Sequence, residues 1–186
     1  MGIIIIINNI LYHQVDLNLD EKDYQFLEHL KNTYQDKAVA VQGRNPNGTL
    51  RSVFNQYKNF YLKNSNVDYS THNLFKKIAK YCVRLPLHSD LMYLYSRAHI
   101  AVVTGKLPYH IDARDCVLTI PIGETVNPIT WVDNDNNFID CYHYSGPVLI
   151  NTKVKHGCLE NAQSRILFQI GFNDPLSEII KLIKLV

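Results

Sequence analysis

The sequence predicts a mostly β protein with flanking helices (α+β), in which helices pack against a single all-β core. Three observations lead there. From Leu91 onward, short apolar runs alternate with turn residues: "LMYLY", "AHIAVVTG", "CVLTIPI", "PITWV", "FIDCYHY", "PVLINTKV" and "RILFQIGF". Strands this closely spaced indicate a sandwich or barrel and not a parallel α/β sheet. Ahead of them, apolar residues recur at helical spacing, and after them the chain closes on a short amphipathic stretch. At 186 residues the chain suits one domain, mainly helical with an N-terminal strand over 1–90, β-rich over 91–173 and helical again over 174–186.

Taken in order, "MGIIIII" lacks a basic leader, and Asn8 and Asn9 end the run after five isoleucines. That is too short for a signal-peptide core or a membrane span, so a buried strand is expected. Position 6 is Ile, where a myristoylation signal wants Ser or Thr. Asp20 is placed to cap a helix carrying Tyr24, Leu27, Leu30 and Tyr34 along one side. "NPNG" at 45–48 reads as a turn. Beyond it, Leu50, Val53, Phe54, Tyr57 and Tyr61 follow helical spacing, which predicts a second amphipathic helix. A third is expected from His72 to Cys82, with Leu74, Phe75, Ile78 and Tyr81 facing in. Within the β-rich part, "DNDNN" at 133–137 reads as a hairpin turn. Asp174 as N-cap and Pro175 at the first helical position open a last helix, with Leu176, Ile179, Ile180 and Ile183 as its buried stripe.

A net charge of +2 offers no basic stripe, which argues against nucleic-acid binding through phosphate neutralisation. Cysteines 82, 116, 141 and 158 form no Cys-x-x-Cys pair or zinc-like cluster, and read as reduced thiols of a cytoplasmic protein. The composition carries no membrane signal and leaves the oligomeric state open.

The stretch "PYHIDARDC" sets His110 and Asp112 two apart inside an apolar run. With 8 histidines in the chain and a second match at His88-Ser89-Asp90, the spacing alone says little. Context favours His110. Residues i and i+2 of a strand share a face, so His110 and Asp112 can offer an imidazole nitrogen and a carboxylate oxygen to one metal. His88 falls on a loop ahead of the strands. A third ligand has to come from another strand, and His143 and His156 follow in the chain. In "RILFQIGF", Arg165 and Gln169 share one face while Ile166, Phe168, Ile170 and Phe172 share the other. The first face suits an interior that binds an anion, and the second suits packing beneath helices. Trp131 reads as core or pocket wall.

His-x-Asp, a distant His and an Arg nine residues beyond it, all in a β-rich second half, resemble the non-haem Fe(II)/2-oxoglutarate-dependent oxygenases. The segments "LPYHIDARDCVLTIPI" and "PVLINTKVKHGCLENAQSRILFQIGF" are similar to the small prolyl- or aspartyl-hydroxylase-like members, some of them phage-encoded. The resemblance spans roughly residues 93–173. It implies a double-stranded β-helix, a jelly-roll or cupin-like barrel, buttressed by the N-terminal helices. It implies that His110, Asp112 and His156 hold Fe(II) as a two-histidine, one-carboxylate triad with positions open for co-substrates. Arg165 would bind the remote carboxylate of 2-oxoglutarate, for which a guanidinium offers two parallel donors. Thr119, or else Tyr109 or Asn151, would add a further co-substrate contact. The implied activity is a dioxygenase, most simply a hydroxylase, that couples decarboxylation of 2-oxoglutarate by O2 to oxidation of a small-molecule or peptidyl substrate. Two other readings stand beside it. One is a cupin-like metal- or sugar-binding barrel without redox chemistry, although such sites usually show His-x-His followed by Glu, which "YHIDARD" lacks. The other is a non-catalytic barrel serving as an interaction domain.

Overall fold

The computed structural model describes residues 10–40, 56–82, 90–124, 128–158 and 164–183. Its strands are β1 (Tyr12–Gln14), β2 (Val39–Ala40), β3 (Tyr57–Tyr61), β4 (Ala98–Val103), β5 (Leu107–His110), β6 (Cys116–Pro121), β7 (Ile129–Val132), β8 (Phe138–Tyr142), β9 (Val148–Asn151), β10 (His156–Cys158) and β11 (Arg165–Phe172). The helices are α1 (Glu21–Tyr34), α2 (Asn73–Tyr81), α3 (Leu91–Arg97) and α4 (Leu176–Ile183). The protein is therefore mostly β with a few helices. One sheet has the order β1-β9-β6-β11-β4-β3-β2 and the other β5-β10-β7-β8, and every pairing is antiparallel. Among the described residues the two sheets do not join into a closed barrel. No helix among them is long and apolar enough to cross a membrane.

The large sheet has two unlike faces because side chains alternate along each strand. On β11, Phe168, Ile170 and Phe172 join Ile100, Leu118 and Ile120 in a core closed by Leu27 and Leu30 of α1, Phe75 and Ile78 of α2, Leu94 of α3, and Ile179 of α4. The rings of Phe75 and Phe168 meet edge to face at 5.9 Å. The other face of β11 carries Arg165, Leu167 and Gln169 toward a cavity shared with the smaller sheet.

Local chemistry explains most of the elements. Asp20 caps α1 by accepting from the Lys22 and Asp23 amides, while the Asp23 side chain accepts from the Asp20 amide. The buried side of α1 is Asp23, Phe26, Leu27, Leu30 and Tyr34, whereas Tyr24 is exposed. An acid occupies that side because Lys77 of α2 reaches over to ion-pair with both Asp20 and the fully buried Asp23. His72 caps α2 through Nδ1, which accepts from the Leu74 amide. Between β7 and β8, Asp133 accepts from the amides of Asp135 and Asn137, and Asn136 takes a positive φ of 67°. This is the expected hairpin. The Pro175 carbonyl accepts from the Glu178 and Ile179 amides, opening α4 where expected.

Two segments differ from the sequence reading. Residues 57–61, expected within a helix, form β3, and Tyr57 to Tyr61 pair with Val103 to His99 of β4. The segment "YKNFY" satisfies period 2 as well as the helical period. Its aromatic residues favour a strand once a partner strand is available. "LMYLY", read as a strand, is helix α3, because Asp90 caps the Tyr93 amide at 2.8 Å and Leu94 and Tyr95 turn inward. The isoleucine run at 3–7, the turn at 45–48 and His88 lie outside the described residues.

The Lys77–Asp23 pair gives a stability prediction. Lys77→Ala leaves the buried Asp23 carboxylate without its cation and is expected to destabilise the fold. This is read as a lower urea midpoint at unchanged slope, and adding Asp23→Asn to Lys77→Ala should recover part of the loss.

Candidate metal centre

His110 ends β5, and the chain turns at once, so Asp112 comes back beside it with Oδ1 3.4 Å from His110 Nε2. A hydrogen bond from the Asp112 amide to the Thr152 carbonyl, at 3.0 Å, ties this bend to the end of β9. His156 opens β10, which pairs antiparallel with β5 and sets His156 directly opposite His110. The two imidazole centroids are 4.6 Å apart. One ligand atom from each of His110, Asp112 and His156 lies within 4.8 Å of the other two. Neighbouring ligands ~2.1 Å from a shared ion at right angles stand ~3 Å apart, so small side-chain movements suffice to close the set.

Both imidazoles are pre-oriented. His110 Nδ1 lies 2.8 Å from the Pro108 carbonyl, and His156 Nδ1 lies 2.9 Å from the Val154 carbonyl. A carbonyl only accepts, so Nδ1 carries a proton in each ring and Nε2 is the nitrogen left to face a ligand; an arriving cation would take the place of the proton that His110 Nε2 shares with Asp112. Burial holds the His156 pKa below the ordinary imidazole range despite the opposing pull of Asp112. Burial works against the Asp112 carboxylate, but the His110 hydrogen bond and the His156, His110 and Arg114 charges outweigh it and lower its pKa. Neutral imidazoles and an ionised carboxylate are the states a divalent cation needs. Two imidazoles and one carboxylate on one side of the cavity fit a metal that keeps open positions.

The same cavity receives Arg165, which is buried at the start of β11, with its guanidinium 5.9 Å from the Tyr144 ring centroid. Burial pushes the Tyr144 hydroxyl up to about 12. The fold thus brings His110, Asp112, His156 and Arg165 to one space. Thr119 is fully buried one layer behind, where its Oγ1 accepts from Gln169 Nε2 at 3.1 Å while Gln169 Oε1 accepts from the Tyr57 hydroxyl at 2.8 Å. Asn151 is engaged with the Ile10 carbonyl and the Lys153 amide, and Tyr109 packs its ring against Gly157. His143 is exposed beyond the end of β8. Trp131 is fully buried and stacks on Tyr12.

Sequence reasoning did not single out Tyr57, Tyr144, Thr152 or Gly157, all of which line the cavity. Tyr57 was hidden by its helical spacing. Gly157 carried a signal in its position after His156: a Cβ there would stand 2.7 Å from the Leu107 carbonyl oxygen and 2.9 Å from Tyr109 Cδ1. Only glycine lets β10 approach β5 this closely.

No family model matches the sequence, and no curated protein matches it. Solved structures do match. A prolyl hydroxylase from Trichoplax adhaerens, in complex with a hypoxia inducible factor oxygen degradation domain peptide fragment, superposes with a TM-score of 0.55 at 12% identity, over 96% of this chain and 87% of that one. A prolyl-4-hydroxylase from Pseudomonas putida gives 0.50 at 11% identity, over 88% of this chain and 92% of that one. The fold of this chain, two antiparallel sheets with a few helices, is the fold of these hydroxylases.

Two outcomes follow from this geometry. Gly157→Ala forces β5 away from β10 and should weaken Co(II) binding by roughly 10–100-fold, measured by cobalt absorption, as is usual when a ligand's support is lost. The second concerns His99, which is fully buried on β4, with its pKa lowered to about 4 by burial and by Arg114. The unfolded chain binds this proton near pH 6.5 and the folded chain only near pH 4. Stability from this group is therefore complete above pH 6.5 and is lost as pH falls through 4, by up to ~3 kcal/mol. Urea midpoints of His99→Phe should fall less over that interval than those of the wild type.

Proposed function

We propose that the protein is an Fe(II)- and 2-oxoglutarate-dependent dioxygenase, most simply a hydroxylase. The observation that carries this reading is the convergence of His110, Asp112 and His156 on one point of a cavity that also holds the buried Arg165. Two imidazoles and a carboxylate suit Fe(II) with positions left for co-substrates. Bound there, Fe(II) with 2-oxoglutarate and O2 supplies the oxidation of a substrate C–H bond, with succinate and CO2 as the co-products.

The chain's own groups have distinct tasks on this reading. The Pro108 and Val154 carbonyls hold the two imidazoles in the ligating tautomer. Arg165 anchors the remote carboxylate of 2-oxoglutarate through paired donors, in a buried setting where such a pair is strong. Thr119 acts on that end of the cavity through Gln169, whose amide it orients. Leu107, Val117 and Leu167 line the space with apolar surface that excludes water.

Residues 1–186 form one oxygenase domain on this reading, with the helices buttressing a double-stranded β-helix. Support comes from eight strands in two antiparallel layers, β9-β6-β11-β4 beside β5-β10-β7-β8, a set that suits a double-sheet jelly roll. A peptidyl or small-molecule substrate is in keeping with the peptide bound to the Trichoplax hydroxylase. The four free cysteines suit a reducing cytoplasm.

Anaerobic addition of Fe(II) and 2-oxoglutarate should give a visible charge-transfer band in the wild type and none in His110→Ala. In air, the wild type should form succinate. Arg165→Ala should raise the 2-oxoglutarate concentration for half-maximal turnover by roughly 10–100-fold, the worth of hydrogen bonds to a charged group. A wild type with neither band nor succinate would be a cupin-like metal- or ligand-binding barrel.

A further inference from the structure

Besides Arg165, a further arginine of the described residues, Arg114, two residues past Asp112, lays its side chain on the inner face of the large sheet. Its side chain lies across the sheet at Gly171, where a Cβ would fall 2.2 Å from Arg114 Cδ, 2.6 Å from Nε and 2.7 Å from Nη1. Position 171 therefore has to be glycine for Arg114 to occupy this place. Arg114 Nη2 donates to the Tyr61 hydroxyl, and the guanidinium carbon stands 5.8 Å from the Tyr61 ring centroid. Gly171 continues the Arg165–Leu167–Gln169 face of β11. Six residues of strand separate it from Arg165, so the two arginines reach the inner face at different places along β11.

Among the described residues no carboxylate forms an ion pair with Arg114: Asp115 is taken by Lys153 at 3.1 Å and Asp112 by His110. The Arg114 charge helps to lower the Asp112 pKa, and a metal held by Asp112 would neutralise that carboxylate. A half-buried cation fixed by a glycine and a tyrosine, with no ion-paired acid among the described residues, is suited to an incoming anion. Among the described residues the same inner face carries two buried atoms without a hydrogen bond of good geometry, Asn59 Oδ1 on β3, whose side chain neighbours the Tyr57 hydroxyl, and His99 Nε2 on β4, whose ring neighbours the Gln169 amide. His99 sits beside Tyr61, ring centroids 4.9 Å apart, and its Nδ1 faces the Arg97 carbonyl, which makes Nε2 an acceptor. Two such acceptors beside a guanidinium suit an amino acid, free or within a peptide.

We infer that Arg114, held by Gly171 and Tyr61, is a second anion position beside the metal centre and receives a carboxylate of the primary substrate. This deepens the oxygenase reading and rests on it for the word "substrate". The anion position itself can be tested without metal.

The test uses 15N-labelled protein titrated with sodium acetate and, separately, with acetamide. Acetate should shift the Gly171 and Asp115 amide resonances saturably, acetamide should not, and Arg114→Gln should abolish the acetate response. Gly171→Ala, which forces the Arg114 side chain to shift, should weaken the acetate response. Equal shifts with acetate and acetamide, or an acetate response that survives Arg114→Gln, would overturn the inference. With Co(II) and saturating 2-oxoglutarate, the acetate methyl protons should relax several-fold faster with wild type than with Arg114→Gln. Acetate binding without that enhancement would remove the position from the metal's neighbourhood. Failure to bind Co(II) at all would count against the metal reading, while the amide shifts would still decide the anion position.

Discussion

The candidate site depends on one contact, the antiparallel pairing of β10 with β5. It sets His156 opposite His110, and each ring is then turned by the carbonyl two residues before it, Pro108 for His110 and Val154 for His156. Asp112 is added by the bend that follows β5 and by its amide bond to Thr152. The pairing is tight because Gly157 presents no side chain to the β5 backbone. Three candidate ligands from two distant stretches of chain are thereby held by backbone geometry more than by mutual side-chain attraction. Such a scaffold keeps a polar cluster in place before any ion arrives, when its charges and lone pairs would otherwise favour separation.

The large sheet divides the molecule by chemistry. Its outer face is apolar and gains its stability from the helices laid over it. The inner face is crossed by polar side chains, which is costly unless each finds a partner. Tyr57, Gln169 and Thr119 meet that demand with a chain of hydrogen bonds spanning three strands. Gln169 donates at one end of its amide and accepts at the other, so its orientation is fixed. The exceptions, Asn59 Oδ1 and His99 Nε2, lie on β3 and β4, the strands nearest Tyr61 and Arg114. The unsatisfied groups of this face therefore lie on neighbouring strands, apart from the third such atom of the described residues, Asp23 Oδ1 on α1.

The helices contribute more than covering. Lys77 binds α2 to the cap of α1 through Asp20 and Asp23, and α3 leads directly into β4, the strand that carries His99 and pairs with β3. Position and orientation of the β3 residues Tyr57 and Tyr61 thus depend on elements far from the metal ligands in sequence.

By itself the sequence determined what local chemistry controls. Asp20, His72 and the Asp133–Asn137 turn act within a few residues of themselves, so the starts of α1 and α2 and the β7–β8 hairpin were legible. The alternation in "RILFQIGF" also announced a polar and an apolar face, because strand geometry allows no other arrangement. His110, Asp112, His156 and Arg165 were nameable as candidates from residue type and order. Tertiary structure decided the rest. Tyr57–Tyr61 satisfied two periods, and only the presence of β4 as a partner made it a strand. "LMYLY" was too short for periodicity to separate helix from strand. That Thr119 works behind Gln169, that Gly157 sets a spacing, and that Arg114 lies over Gly171 are facts of register between strands. Register is fixed by pairings across long stretches of chain, which no local pattern encodes.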